Sequence, residues 1–343
     1  MQEINWTRTD LIDETEEVVQ HQTKQQKEKL DDSEGVLFEE FNENRVKVTK
    51  VTVSKEGSEE IGKKEGQYIT LTVPSLNIDD LEGMEQLEKA FLKYIEEIHK
   101  DIKLTKNSKV LVIGLGNKTI TPDAIGPFTI DAMQARQLDE HVDQFILYAP
   151  GVTGQTGFET SDFVHALTEK IKPVLVLAID ALATRGTSRL CKTIQITNTG
   201  IHPGSGVGNQ RTEISKEVLG VPVTAIGVPT VVDATVIIAD AVDKVFRSIA
   251  KKVQEKNKPS GKLAVTSWTS DSEDEEVDYE VIRPIFGEWS TWSKAERRQL
   301  FEEVLLSNSQ RLIVTPKEVD IWMTKYATLI SNCLFQWIDE KVN

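Results

Sequence analysis

The sequence predicts an α/β fold: a mainly parallel sheet sandwiched by helices, with an N-terminal antiparallel β addition and a C-terminal helical tail. Three observations carry this. Between about 105 and 253, short apolar runs at 110–113, 144–149, 173–180 and 221–228 alternate with segments of helical character. Before them, residues 36–41, 46–53 and 68–73 are rich in β-branched and aromatic residues with partial alternation. After residue 289 the pattern turns helical, with Trp289, Trp292, Trp322 and Trp337 as expected anchors.

In chain order, residues 1–34 are rich in Glu, Gln, Lys and Asp and read as an exposed, loosely held extension rather than core. In the 46–53 strand, Val46, Val48 and Lys50 share one face. Leu81, Met84, Leu87, Ala90, Phe91, Tyr94 and Ile95 then mark a helix within 79–103. In the α/β section, helices are expected near 124–138, up to 171, over 213–219 and within 229–253, and a further strand at 193–197, TIQIT. Residues 254–280 break the regularity: Pro259, Ser260 and Gly261 precede the acidic run DSEDEE at 271–276, a solvated linker or loop. In the tail, Thr315 followed by Glu318 has the spacing of a capping box.

Composition narrows the function. A chain of 343 residues that is 39% hydrophobic can bury a sizeable core, and no apolar run is long enough to span a bilayer. The N-terminal residues lack the basic-then-apolar order of a secretion signal. The two cysteines, Cys191 and Cys333, form no CxxC pair, so a reducing cytoplasmic compartment is expected. A net charge of −15 argues against direct binding to nucleic acid or to an anionic membrane.

The chemistry concentrates in two stretches. KVLVIGLGNKTITPDAIGP carries an apolar strand into a glycine-rich turn and on to Asp123; PVLVLAID delivers Asp180 at the end of a second apolar run. In one parallel sheet, both carboxylates would emerge on the carboxyl rim, where open α/β sheets place their ligands. Paired carboxylates can divide acid and base roles, because one ionised group raises the pKa of its neighbour. A capping aspartate at 123 and a loop residue at 180 fit the same pattern, and spacing alone leaves both readings open.

Other motifs are weaker. GLGNKT has Thr119 where a dinucleotide fingerprint needs its third glycine, and GSGVGNQR lacks the ending of a P-loop. His202, in IHPGSG, suits a local hydrogen bond as well as a site role; the five histidines are scattered, with no HExxH. No GxSxG occurs, Ser161 and Asp162 suit a helix cap, and Cys191 has no nucleophile signature. Arg185, Arg189 and Arg211 follow the rim segments, as surface charge or as a bidentate grip on a carboxylate.

Taken together, GLGN-x4-PDAIGP, PGVTGQTGFETSD, AIDALATR, IHPGSGVGNQR, AIGVPTVVDA and VTPKEVD resemble the germination proteases of spore-forming bacteria. The resemblance implies an endopeptidase that degrades small, acid-soluble, DNA-protecting spore proteins during germination, in the spore core. It implies an atypical aspartic-type mechanism with Asp123 and Asp180 as catalytic residues and no cofactor. It implies a fold similar to the hydrogenase-maturation endopeptidases, whose bound nickel keeps a metal-dependent hydrolase on the same carboxylates as the alternative. It also implies a self-processing zymogen, cut between Asp10 and Leu11, and a homotetramer. Arg185, Arg189 and His202 are then the expected substrate-binding residues. On this reading residues 1–10 are the propeptide and 11–104 the extension and β addition. The catalytic core is 105–253, the acidic linker 254–288 and the helical tail 289–343.

Overall fold

The structure, a computed structural model, describes residues 10–14, 35–140, 144–151, 160–202, 213–256, 278–306 and 312–342. Two compact units make up the chain, one of residues 1–232 with 315–343 and one of residues 233–314.

The first unit is built on strands β1 (Val36–Glu43), β2 (Val46–Val53), β3 (Gly66–Thr72), β4 (Val110–Gly114), β5 (Phe145–Tyr148), β6 (Leu175–Thr184), β7 (Thr193–Thr197) and β8 (Val223–Asp233). They form one sheet in the order β1-β2-β3-β7-β8-β6-β4-β5. β5, β4, β6 and β8 pair in parallel, whereas β1, β2, β3 and β7 pair antiparallel and β7 runs against β8. The antiparallel strands are therefore spliced onto the parallel sheet through β7. The link from Thr184 to Thr193 is too short for a crossover helix, so TIQIT must run back against its neighbour.

Among its described residues this unit has the α-helices α1 (Lys55–Ile61), α2 (Leu81–Ile98), α3 (Ile125–Glu140), α4 (Thr160–Ile171), α5 (Lys216–Leu219) and, after the second unit, the C-terminal helix Val319–Val342. Alternation along the strands assigns the two sheet faces. Val112, Leu177, Ile179, Ile194, Ile196 and Ile226 face α2, α3 and the C-terminal helix. On the other face, Leu111, Ile113, Val176 and Ala178 pack with Val164 of α4 and Leu219 of α5. Strands buried on both sides read as continuous apolar runs, which is why β4 and β6 stood out in the sequence.

The C-terminal helix buries Trp322 and Trp337, as expected, but starts at Val319 without the capping box. The Thr315 hydroxyl instead donates to the Thr230 carbonyl at 2.8 Å, tying the entry of this helix to β8. The Thr315 side chain is thus oriented by a tertiary hydrogen bond to β8.

The second unit holds α6 (Ala234–Lys256), α7 (Arg283–Phe286) and α8 (Lys294–Leu306) around Phe246, Ala250 and Ile282. Trp289 packs edge-on to Phe246 with ring centroids 4.7 Å apart, and Arg297 is buried in an ion pair with Asp243 at 2.5 Å. Trp292 is exposed and anchors nothing. The acidic run 271–276 lies outside the described residues. No helix among the described residues is long and apolar enough to cross a membrane.

His99, at the end of α2, is buried beneath Trp337, with Nδ1 at 2.7 Å from the Ile95 carbonyl and Nε2 at 2.8 Å from the Thr224 hydroxyl. Burial lowers its pKa from 6.5 to about 4, against the opposing pull of the Ile95 carbonyl and Glu96. The unfolded chain takes up this proton near pH 6.5 and the folded chain resists it. The stabilisation is complete above pH 6.5 and lost as pH falls toward 4, by roughly 3 kcal/mol. Urea unfolding between pH 7 and 4 should lose about one proton of pH dependence in His99→Gln. An unchanged slope would remove His99 from this role.

Candidate active site

The rim begins where β4 stops. Gly114 is its last residue, paired with Ile179, and the Leu115 N–H donates to the Ile179 carbonyl at 2.8 Å. Gly116 then turns the chain at φ +106°, and a Cβ there would lie 2.0 Å from the Asp123 carbonyl oxygen. Both facts require glycine. The Asn117 N–H donates to the Asp123 carboxylate at 2.8 Å and to its carbonyl at 3.0 Å, closing the loop onto a single 3-10 turn, Thr121–Asp123. The Thr230 hydroxyl donates to the Pro122 carbonyl at 2.6 Å, so β8 holds the same turn. α3 follows, and Gly126 lets its first turn press against Leu115 and the Ile179 carbonyl. Asp123 is thus fixed, half-buried, just past the end of β4.

Asp180 is not at the end of its strand, as the apolar run suggested. β6 continues to Thr184 because β8 runs beside it to Val232. It nevertheless stands at the rim, because β4 has ended opposite Ile179, one residue earlier. Asp180 is 7% exposed and pairs with Gly227 of β8, and one of its carboxylate oxygens accepts from the Ala181 N–H at 2.9 Å. The β4–β6 boundary therefore brings Asp123 and Asp180 to one edge of the sheet. Among the described residues no three His, Cys, Asp or Glu side chains are grouped to hold a metal ion.

Residues 10–14 depart from the expected exposed extension. Leu11 and Ile12 are fully buried, with Ile12 packed on Val51, Val53 and Tyr68 on the sheet face shared with α4. There Ile12 joins Val36 of β1 and Ile61 of α1 in covering the antiparallel end of that face, while α4 packs on the parallel end. Arg185 and Arg189 grip this segment. The Arg189 guanidinium donates to Asp13 at 2.5 Å and lies 3.7 Å from Glu14, and the Arg185 side chain donates to the Glu14 carbonyl at 3.0 Å. Burial works against the Arg189 charge, but Asp13 and Glu14 hold its pKa above the usual arginine value.

Gln195 escaped the sequence reading. It pairs with Gly227, which in turn pairs with Asp180, so Gln195 and Asp180 lie in one row and on one face of the sheet. Its side-chain amide donates to the Asp10 carbonyl at 3.1 Å and accepts from the Ile12 N–H at 3.0 Å. The signal was a lone amide inside TIQIT, facing away from its two isoleucines.

His202 is set apart. Because β7 is antiparallel, its carboxyl end points to the opposite rim, where Ile201 bridges Ile214. There His202 lies 3.4 Å from Glu213, and partial burial and then the charges of Lys64 and Lys63 lower its pKa. Cys191 is buried, which pushes its thiol up to about 12, and it serves as packing. Arg211 and the GSGVGNQR loop lie outside the described residues, as do residues 1–9.

Comparison with known proteins agrees along nearly the whole chain. The germination protease family model matches residues 12–343. The germination protease of Halalkalibacterium halodurans is 39% identical over 98% of this chain and 94% of its own. That of Bacillus cereus is 40% identical over 95% of this chain and 92% of its own. Among solved structures, the nickel–iron hydrogenase maturation protease HycI from Thermococcus kodakarensis matches 36% of this chain and 74% of its own, at 18% identity and a TM-score of 0.27. With its family model spanning the sheet, the rim and the C-terminal helix, this chain belongs to the germination protease family.

Proposed function

We propose that this protease is an endopeptidase that degrades small acid-soluble spore proteins in the spore core. It is made as a zymogen that cuts itself between Asp10 and Leu11 and works as a homotetramer. The observation that carries the mechanism is the joint placement of Asp123 and Asp180 at the β4–β6 rim. The substrate class, the processing step and the assembly rest on family membership. Residues 10–14 add support, since the bond to be cut is held by Gln195, in the same row and on the same face as Asp180.

In this mechanism one ionised aspartate takes a proton from the water that attacks the scissile carbonyl. The other, protonated, donates to the carbonyl oxygen; as the C–N bond breaks, the proton taken from water passes to the leaving nitrogen and the diol returns a proton to the second aspartate. Water adds across the C–N bond, leaving a new carboxylate and a new amine. The Asn117 and Ala181 N–H groups orient the two carboxylates by direct hydrogen bonds. A metal-dependent hydrolase on the same carboxylates is the second reading.

Purified chain incubated with small acid-soluble spore proteins should cut them, and Asp123→Asn and Asp180→Asn should each lower the rate by at least about 100-fold. Full activity in either variant would sink the pair. Loss with a chelator, restored by a divalent ion, would move the assignment to the metal-dependent reading.

Gly116→Ala tests the geometry without replacing either carboxylate. The added Cβ collides with the Asp123 carbonyl and must displace the turn. Misplacement of about 1 Å at the reacting groups costs roughly 100-fold. Cleavage should fall by that order while circular dichroism stays native. A fully active, folded Gly116→Ala would show that Asp123 need not sit where this turn puts it.

A further inference from the structure

We propose that residues 10–14 occupy, in cis, the subsites through which the protease selects its substrates. Arg189 and the end of β6 would then read acidic side chains on both sides of the scissile bond. This rests on the peptidase reading given above.

The segment Asp-Leu-Ile-Asp-Glu is held at every position. The Ala183 N–H donates to the Asp10 carboxylate at 2.8 Å, and the Asp10 N–H donates back to the Ala183 carbonyl at 3.1 Å. Gln195 clamps the main chain on both sides of Leu11. Arg189 takes Asp13, whose side chain is 3% exposed. Glu14 accepts from the Thr184 hydroxyl and from the Arg185 N–H, each at 2.6 Å.

A segment serving only as a plug over β2 and β3 needs Leu11 and Ile12 and nothing more. Burying three carboxylates beside them is costly unless each finds donors; here each finds at least one, and one oxygen of Asp13 is left without a hydrogen-bond partner. Donors of this kind recognise charge at fixed spacing, while the Gln195 clamp holds any extended main chain. Both are what a peptide site requires. The ligand class is therefore an extended peptide reading acidic, apolar, apolar, acidic, acidic. Such a peptide supplied in trans must displace residues 10–14 to bind.

The test uses the full chain carrying Asp123→Asn, which stays whole if the peptidase reading holds. Amide hydrogen exchange of residues 10–14 is followed with a synthetic peptide of the sequence 6–18. A twin peptide carries Asp13→Asn and Glu14→Gln. The acidic peptide should speed exchange of residues 10–14 at least tenfold, the twin should not, and Arg189→Gln should erase the difference. Equal displacement by both peptides, or by neither, would overturn the subsites, and the peptide comparison requires no further change to the protein. The peptidase reading fails separately, if the wild-type chain leaves the displacing peptide uncut.

Discussion

The hydrogen bond from the Leu115 N–H to the Ile179 carbonyl is the last rung between β4 and β6, and the rim depends on where it falls. One residue later β6 is still a strand, carrying Asp180, while the other chain has turned through Gly116 toward Asp123. The close approach that makes this possible needs glycine on both sides of the step, at Gly114 and Gly126, where a Cβ would meet backbone. Unequal strand lengths thus open a notch in an otherwise closed sheet, and parallel sheets place their chemistry in such notches.

The opposite face of the sheet explains why the N-terminal residues matter. The helices α4 and α5 cover its parallel end, and among the described residues Ile12 shares the antiparallel end with Ile61 of α1. A stretch that joins the core is thereby drawn alongside the row that holds Asp180, with Gln195 at the junction. On the proposed reading, stability and recognition share the same residues. Processing would then separate residues 1–10 from a segment that remains anchored through Asp13 and Glu14.

Much of this was legible in the sequence, for physical reasons. β2 and β7 were read with their observed ends because alternation or a β-branched run defines them. Asp123 and Asp180 drew attention because each is the first acidic residue after an apolar run, although neither is the last residue of its strand. What stayed hidden depended on pairing. β6 passes Asp180 only because β8 accompanies it, and the antiparallel course of β7 sends His202 to the far rim. Thr315 had the spacing of a cap, and its hydroxyl instead bonds a carbonyl distant in sequence, a contact that no local pattern encodes. Burial of Ile12 could not be read from an acidic segment, because the surface that accepts it is assembled from β2, β3 and α1.

The central claim is that Asp123 and Asp180 act as one site on the bond following Asp10. Intact-mass and N-terminal analysis of the purified chain over time at mildly acidic pH addresses it most directly. The account predicts loss of residues 1–10 with Leu11 as the new N-terminus, in the wild-type chain and in neither Asp123→Ala nor Asp180→Ala. The same new terminus appearing in the variant lacking both aspartates would contradict it.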